Sequence, residues 1–223
     1  MSDAARQRTN MVDSQILTSD VTDRRILRAM GELPRERFVP PDYAPVAYID
    51  EAVPMDDKAR ANARRWLMAP RSFAKLLQLA EIEDDARVLD VGVGTGYSAA
   101  VLGKIAKTVV ALEFDAMLAA AARKSLAALA LDNVRVVEGP LADGWVDEGP
   151  YDAIVLEGSV CEAPATLLDQ LKDGGRLVGI VGQTGLGKGV IWRRLGRSLD
   201  RWTAFDAAAP ALPGFEVARA FAL

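Results

Sequence analysis

The sequence predicts an α/β protein built on a doubly wound, mostly parallel sheet. Three observations predict it. Apolar, strand-like segments alternate with helix-like segments through the middle of the chain, a glycine-rich turn follows the first of these strands, and the second strand ends in an acid. Strands separated by helices of about 10–15 residues pair in parallel through right-handed crossovers.

The predicted core elements follow one another in a regular order. Strands are predicted at residues 87–91, 108–113, 133–138, 151–157 and 174–181, and helices at 97–106, 115–130 and 164–172. After residue 181 the pattern changes. Two further strands, 190–195 and 217–223, are predicted on either side of a stretch rich in Pro and Ala, 206–214. They predict an antiparallel edge on the sheet.

The length and composition predict a single domain with a sizeable core, since the chain has 223 residues and is 50% hydrophobic. We divide it into a helical N-terminal cap at 1–83, a core at 84–182 and C-terminal edge strands at 183–223. Within the cap, an apolar stripe at Ile26, Leu27, Met30 and Leu33 predicts one helix. Pro70 suits the first turn of another.

Composition also restricts the classes of function. The net charge of −4 argues against general nucleic-acid binding, and we interpret the cluster Arg60, Arg64, Arg65 and Arg71 as a solvated helix face. No apolar run is long enough for a transmembrane helix, and residues 1–8 lack an apolar signal region. A single cysteine, Cys161, fits a reducing cytoplasm.

The chain contains no histidine. This removes the commonest general base and the usual nucleophile pairs, and we predict no metal site. Any chemistry must use carboxylates, Lys, Tyr or the reactants themselves.

The most informative stretch joins a buried strand, Val88–Val91, to three alternating glycines, Gly92, Gly94 and Gly96. Glycines here permit positive φ and let the backbone approach a ligand, and the helix that follows points free N–H groups at the same place. An ordinary strand-to-helix turn is the alternative. Strand, loop, helix, strand and acid in this order favour a nucleotide-type cofactor site.

The spacing Gly-x-Gly-x-Gly departs from the dinucleotide fingerprint Gly-x-Gly-x-x-Gly. Glu113, at the end of the second strand, can accept hydrogen bonds from both hydroxyls of a ribose, which suits NAD or S-adenosylmethionine. S-adenosylmethionine needs no phosphate-binding glycine. It also carries a sulfonium and an ammonium, which the carboxylates of Asp90 and Glu113 favour. We therefore predict S-adenosylmethionine.

A second glycine-rich segment, 182–189, nearly spells a phosphate-binding P-loop. Gly189 stands where a Ser or Thr must hold magnesium, and the residues that follow favour a strand over a helix. We predict a hairpin-like loop.

These features resemble the protein-L-isoaspartate O-methyltransferase family over residues 10–182. The blocks that carry the resemblance are Asn10-Met11-Val12, Gln15-Ile16, Pro34–Pro40, Ala47-Tyr48, Asp50, Pro54, Val88–Tyr97, Glu113, Tyr151–Ile154, Leu167–Leu171 and Gly174–Val178. The resemblance implies a Rossmann-like class I methyltransferase fold, S-adenosylmethionine as donor and a protein or peptide carboxylate as acceptor.

We assign the donor site as follows. The backbone approaches the donor along the loop Gly92, Val93, Gly94, Thr95 and Gly96. Thr95 contacts the methionine part of the donor. Glu113 holds the ribose and Phe114 packs beside the adenine, which Pro140 and Leu141 border. Asp90 orients the loop or the donor's ammonium, or is a structural acid.

The chain departs from the family pattern at three places. Trp66-Leu67-Met68 replaces the Thr-Ile-Ser segment that closes over the donor and touches the acceptor. Gly139-Pro140 replaces a Gly-Asp pair, and Glu157-Gly158-Ser159 replaces small apolar residues.

Three functions stay open at this point: repair of isoaspartyl residues, methylation of another acceptor, and donor binding with little catalysis. The changes at Trp66 and Met68 motivate the last two. Both side chains are candidates for an acceptor pocket, with core packing as the alternative. Arg65 or Arg71 would attract an anionic acceptor, and Cys161 is interpreted as a packed thiol.

Overall fold

The computed structural model describes residues 3–56, 65–183 and 186–215. The helices are α1 Asp3–Met11, α2 Arg24–Glu32, α3 Pro70–Ala80, α4 Tyr97–Gly103, α5 Ala116–Ala127 and α6 Ala165–Leu168. The strands are β1 Val53–Pro54, β2 Trp66–Leu67, β3 Arg87–Val91, β4 Thr108–Glu113, β5 Val134–Glu138, β6 Tyr151–Val160, β7 Leu171–Gln183, β8 Leu186–Leu195 and β9 Ser198–Ala207.

Seven strands form one mixed sheet in the order β5-β4-β3-β6-β7-β8-β9, and β1 and β2 form a separate two-stranded ribbon. The pairs among β3 to β7 are parallel, and β8 and β9 add an antiparallel edge. The predicted doubly wound α/β fold is confirmed. No helix among the described residues is long and apolar enough to cross a bilayer.

The strand β3 shows how the sheet divides the core. Val88 packs into a cluster with α3, α4 and α5, whereas Leu89 and Val91 pack into a second cluster with α6 on the opposite face. Successive side chains of a strand point to opposite faces, so Asp90 lies on the same face as Val88. A carboxyl group in this strand is therefore directed toward α4 rather than toward α6.

The two helices predicted before residue 83 are present in the structure. Asp23 caps α2 by accepting a hydrogen bond from the Arg25 N–H, and Ile26 and Met30 are buried one turn apart. Pro70 lies in the first turn of α3, as predicted. Between α2 and β1 the chain forms short 3₁₀ segments, consistent with the four prolines there.

The helix predicted at 164–172 is wrong, because α6 ends at Leu168 and β7 begins at Leu171. Leu171 pairs with Tyr151 of β6, and the Tyr151 N–H donates to the Gln170 carbonyl. The ladder to β6 then shifts register before Arg176. Long-range pairing with β6 thus overrides the helix-like spacing of this segment.

The antiparallel edge is confirmed, and it contains a strand that the sequence analysis did not predict. The partner of β8 is β9, which begins three residues after β8 ends, and the predicted strand 217–223 lies outside the described residues. Gly196, at φ +58°, lies in the connection. The glycine-rich segment 182–189 also behaves as predicted where it is described. Gly182 pairs with Gly187 in an antiparallel hairpin, which is incompatible with a P-loop followed by a helix.

Candidate active site

The sheet register places three acids on one face at its carboxyl edge. Asp90 lies opposite Ala111 of β4 and Val155 of β6. Glu113 and Glu157 each lie two residues beyond these partners, so all three side chains share a face. All three are buried, with exposed fractions of 0%, 0% and 7% for Asp90, Glu113 and Glu157. Such a concentration of buried acids needs cationic or N–H partners.

These acids surround the point where the order of successive strands in the sheet reverses. From β3 the chain proceeds outward to β4 and β5, then returns to β6 on the other side of β3. In open α/β sheets, ligands bind outside the carboxyl ends of the strands at such a switch point. The topology therefore selects the edge formed by β3, β4 and β6 as the candidate site.

The glycine turn after β3 has the conformation that the sequence predicts. Gly92, Gly94 and Gly96 have φ values of +86°, +56° and +97°. A Cβ atom on Gly96 would lie 3.2 Å from the Cα of Ala122 in α5. Glycine is needed at residue 96 because both φ and the close approach of α5 exclude a side chain.

Hydrogen bonds from Glu113, the last residue of β4, hold this turn in place. Its Oε2 accepts a hydrogen bond of 2.7 Å from the Gly94 N–H, and its Oε1 accepts from the N–H groups of Phe114 and Asp115. Arg65 donates to the same Oε1 at 3.1 Å. The carboxylate predicted to hold a ribose thus also positions the loop, and that role for the ribose stays a prediction.

Arg65 corrects the sequence interpretation of the basic cluster. Its side chain is only 2% exposed, pairs with Glu113 and donates to the Gly92 carbonyl at 2.5 Å. A solvated helix face is therefore wrong for Arg65, because the acids at the sheet edge draw its guanidinium into the site. Arg71 is more than half exposed and pairs with Asp50, and Arg60 and Arg64 lie outside the described residues.

Two apolar side chains also contact the glycine turn. A Cβ on Gly92 would lie 2.6 Å from Leu212, and a Cβ on Gly94 would lie 2.6 Å from the Met55 sulfur. Sequence reasoning missed Met55, Leu212 and the burial of Arg65. Each comes from a segment distant in sequence, and nothing in the local pattern distinguishes it from its neighbours.

Asp90 and Glu157 form a second acidic feature beside the turn. Burial raises the pKa of Asp90 to about 7, while Ser98 and Glu157 oppose the increase. Burial, followed by the nearby Asp90 charge, holds the pKa of Glu157 well above its usual range. Two carboxyl groups this close cannot both ionise easily in a buried site. Ionisation of both groups together is therefore disfavoured near neutral pH.

The predicted adenine-side residues lie around Glu113. Phe114 is 41% exposed, and the Arg65 guanidinium lies 5.8 Å from its ring centre. The Gly139 N–H donates to the Glu113 carbonyl, Pro140 is exposed and the Leu141 side chain is buried in the core. The arrangement leaves one exposed aromatic face and one exposed proline beside the acid.

The segment that departs from the family pattern lies under this site. Met68 is 2% exposed and packs in the cluster shared with α3 and α4, and its carbonyl accepts from buried Arg35. Trp66 is half-buried in the ribbon, opposite Pro54. Cys161 is half-buried directly after β6. An acceptor-pocket role for Trp66 and Met68 stays a prediction.

Thr95 ties the glycine turn to the N-terminal cap. Its Oγ1 donates to the Phe38 carbonyl at 2.5 Å.

We expect Thr95→Val to lower the free energy of unfolding by about 0.5–1.5 kcal/mol, because the Phe38 carbonyl loses its hydrogen-bond partner. Urea unfolding measures the change. Thr95→Ser keeps the hydroxyl and serves as the control. Equal losses in both variants would contradict a role for this hydrogen bond.

Comparison with known proteins decides the family. The family model "Protein-L-isoaspartate(D-aspartate) O-methyltransferase (PCMT)" matches residues 6–194. The chain belongs to this family. A protein-L-isoaspartate O-methyltransferase of Koribacter versatilis is 36% identical over 88% of this chain and 86% of its own length. That of Methanoregula boonei is 39% identical over 79% of this chain and 78% of its own length.

Solved structures agree with this family. A protein-L-isoaspartate O-methyltransferase superimposes with a TM-score of 0.79 at 25% identity, over 93% of this chain and 67% of that chain. A Plasmodium falciparum protein described as a beta-aspartate methyltransferase (PCMT), in complex with S-adenosyl-L-homocysteine, has a TM-score of 0.73 at 19% identity, over 96% and 100% of the two chains. At that identity the second match shows the fold alone.

The residues present fit the donor used by the PCMT family. Glycines at positive φ form a cradle, and Glu113 and Phe114 lie beside it. Among the described residues, both Asp90 oxygens lack a hydrogen-bond partner of good geometry, as does Oε1 of Glu157. Buried, unpartnered carboxyl oxygens suit a ligand that brings positive charge.

Proposed function

We propose that this protein is an S-adenosylmethionine-dependent methyltransferase that esterifies the free carboxylate of isoaspartyl residues in proteins. The observation that carries the proposal is the glycine turn held by Glu113 at the switch point, in a chain that belongs to the PCMT family. Family membership favours this function over the two alternatives that the sequence leaves open.

The chain's own residues bind and orient the reactants. Bound S-adenosylmethionine supplies an electrophilic methyl group on a sulfonium. The loop Gly92–Gly96, Glu113 and Phe114 hold the donor, while Asp90 faces its ammonium group. Arg65 and Leu212 cover Gly92, so both side chains move aside when the donor enters. Their return over the bound donor would exclude water from the reacting atoms.

The acceptor has a suitable place beside the donor loop. A cavity of about 650 Å³ lies between the N-terminus of α3 and the segment 207–211, with Ser159 of β6 in its wall. Leu212 separates this cavity from the glycine turn, since it contacts Gly92 and donates its N–H to the Ser159 carbonyl. The cavity wall also contains Arg71, whose exposed guanidinium offers a cation for an acceptor carboxylate.

The chemistry needs no general base from the chain. An acceptor carboxylate is ionised at pH 7, because its reference pKa lies near 4. Its oxygen forms a bond to the methyl carbon as the sulfur–carbon bond breaks, giving a methyl ester and a neutral thioether. Catalysis then consists of alignment and exclusion of water. A chain without histidine can perform it.

Radiolabelled S-adenosylmethionine tests the proposal directly. We expect label to transfer to an isoaspartyl peptide and not to the same peptide with a normal aspartyl residue. Failure of transfer by protein that binds the donor would reject isoaspartyl methylation.

For the cellular setting, we propose that the enzyme acts on proteins in the cytoplasm. Its single cysteine supports this, because it fits a reducing compartment.

Replacing Arg71 tests the acceptor cavity. We expect Arg71→Gln to lower kcat/KM for an isoaspartyl peptide by about 10-fold, because a charge-assisted hydrogen bond to a carboxylate contributes about 1.5–3 kcal/mol and this one is partly screened. Donor affinity should stay unchanged.

Arg123→Gln is the matched control for Arg71→Gln. Arg123 is also exposed and paired, but its partner Glu138 lies on the outer strand β5. Steady-state kinetics with the peptide varied at saturating donor measure both variants. Equal kcat/KM in Arg71→Gln and the natural protein would place the acceptor elsewhere.

A further inference from the structure

The fold by itself does not explain why Asp90 and Glu157 are buried as a pair. Both side chains lie at the switch point between β3 and β6, on the face that contains the glycine turn. Both are buried, and three of their four oxygens lack a hydrogen-bond partner of good geometry among the described residues. Burying such groups costs free energy, so a bound group that satisfies them would recover that cost.

We propose that Glu157 joins Asp90 to form an anionic pocket for the α-ammonium group of S-adenosylmethionine. Glu157 is the new donor-binding residue in this assignment, since it is 7% exposed and lies two residues beyond the register partner of Asp90 on β6. The inference rests on the proposed function, because it takes the donor to be S-adenosylmethionine.

The charge of the pocket selects the donor over the acceptor. An acceptor carboxylate would be repelled by two carboxyl groups, whereas an ammonium group would be attracted. Within the described ranges, no group of three or more His, Cys, Asp or Glu side chains is placed to hold a metal ion. Arg65 shows that the site accommodates a cation, since its guanidinium already lies against Glu113 and the Gly92 carbonyl.

Hydrogen-bonding capacity distinguishes the two positive groups of the donor. The α-ammonium group has three N–H donors, which suit the unpartnered oxygens of Asp90 and Glu157. The sulfonium has none. We therefore assign the ammonium, and not the sulfonium, to this pair.

The pair couples donor binding to proton release. Before the donor binds, the pair is not fully ionised at neutral pH, since burial raises the pKa of both carboxyl groups. An ammonium group between them favours the doubly ionised form, so binding releases protons from the pair. Donor affinity should rise as pH increases toward about 7 and fall again near pH 8, where the α-ammonium group of the donor loses its own proton.

The other groups that face this pair come from several elements. They are the Ser98 hydroxyl of α4, Glu113 of β4, Arg65 before β2 and Arg35 of the N-terminal cap. Glu113 opposes ionisation of Asp90, whereas Arg65 and Arg35 favour ionisation of the pair. Their opposing effects do not cancel the increase in pKa that burial causes, so the pKa of Asp90 stays at about 7.

Calorimetric titration with S-adenosylmethionine tests the pocket in the full chain. Measured at pH 7 in phosphate and in Tris, the natural protein should give binding heats that differ according to the buffer, because a proton is released. We expect Glu157→Gln to bind about 10- to 100-fold more weakly and to lose most of the buffer dependence. Glu83→Gln, an exposed acid distant from the site, should match the natural protein.

S-adenosylhomocysteine serves as the second probe, because it keeps the α-ammonium group and lacks the sulfonium. Glu157→Gln should lose affinity for both ligands by similar factors. Loss for S-adenosylmethionine alone would overturn the assignment to the ammonium. Unchanged affinity and proton release in Glu157→Gln would overturn the pocket while leaving the proposed function intact. Failure of the natural protein to bind either ligand would reject both.

Unfolding temperatures measured at several pH values show whether Glu157→Gln is folded. They also distinguish loss of the ammonium pocket from a general loss of structure. The folded natural chain retains a proton that the unfolded chain loses above pH 4 to 5, so its unfolding temperature should fall as pH rises from 5 to 7. Glu157→Gln should show a smaller decrease, because an amide resembles the protonated acid. Asp90→Asn removes the other carboxyl group of the pair and should also suppress proton release. An unchanged proton count in both variants would overturn the proposal.

Discussion

Glu113→Ala should abolish measurable donor binding and lower the free energy of unfolding by about 3–5 kcal/mol. The carboxylate is fully buried and holds three backbone N–H groups as well as Arg65. Its removal leaves the guanidinium of Arg65 buried without its ion-pair partner, and the Gly94 N–H loses its acceptor. Both losses act on the turn that cradles the donor.

Urea unfolding and calorimetric titration with S-adenosylmethionine measure the two effects. Glu138→Ala is the matched control, because Glu138 is the register partner of Glu113 on β5 but is exposed and paired only with Arg123. Exposed pairs contribute about 0–1 kcal/mol, so this variant should bind the donor normally. A Glu113→Ala protein with natural affinity would contradict the site described here.

Gly96→Ala should lower the free energy of unfolding by about 2–4 kcal/mol and also weaken donor binding. Part of the cost is backbone strain, since φ is +97° and residues other than glycine rarely adopt it. The rest arises because the new Cβ would lie 3.2 Å from the Cα of Ala122. Moving the turn away from α5 shifts the donor, and a displacement of ~1 Å can lower the reaction rate by about 100-fold.

Gly174→Ala separates these two contributions. Gly174 has φ +81°, but no described atom lies within 4 Å of an added Cβ, and the residue lies away from the glycine turn. It should cost about 1–2 kcal/mol from strain alone and leave donor affinity unchanged. Equal effects of the two variants on stability would mean that the α5 contact has no energetic importance.

The parallel core was predictable because its signals are local. Each of the strands at 87–91, 108–113 and 151–157 carries its own apolar pattern and ends in a turn or an acid. The structure confirms these strands, with small changes at their ends. The glycines and Glu113 were identified for the same reason, since a turn with positive φ and an acid at a strand end are visible in a few consecutive residues.

The errors lie where distant segments meet. Residues 169–172 have helical spacing, but the helix ends at Leu168 and pairing of Leu171 with Tyr151 begins a strand. The strand at 198–207 was missed because its residues are mostly exposed and lack an apolar pattern. It forms because Gly196 reverses the chain next to β8.

The sequence by itself determined the fold class, the family and the type of donor, because these depend on residues close together in the chain. Only the tertiary structure decided the environment of the charges. Arg65 is basic like its neighbours in sequence, and Glu157 is a single acid in an apolar strand. Folding brings Arg65 against Glu113 and places Glu157 beside Asp90. The strength of an electrostatic interaction depends on distance and burial, and neither quantity is written in the order of the residues.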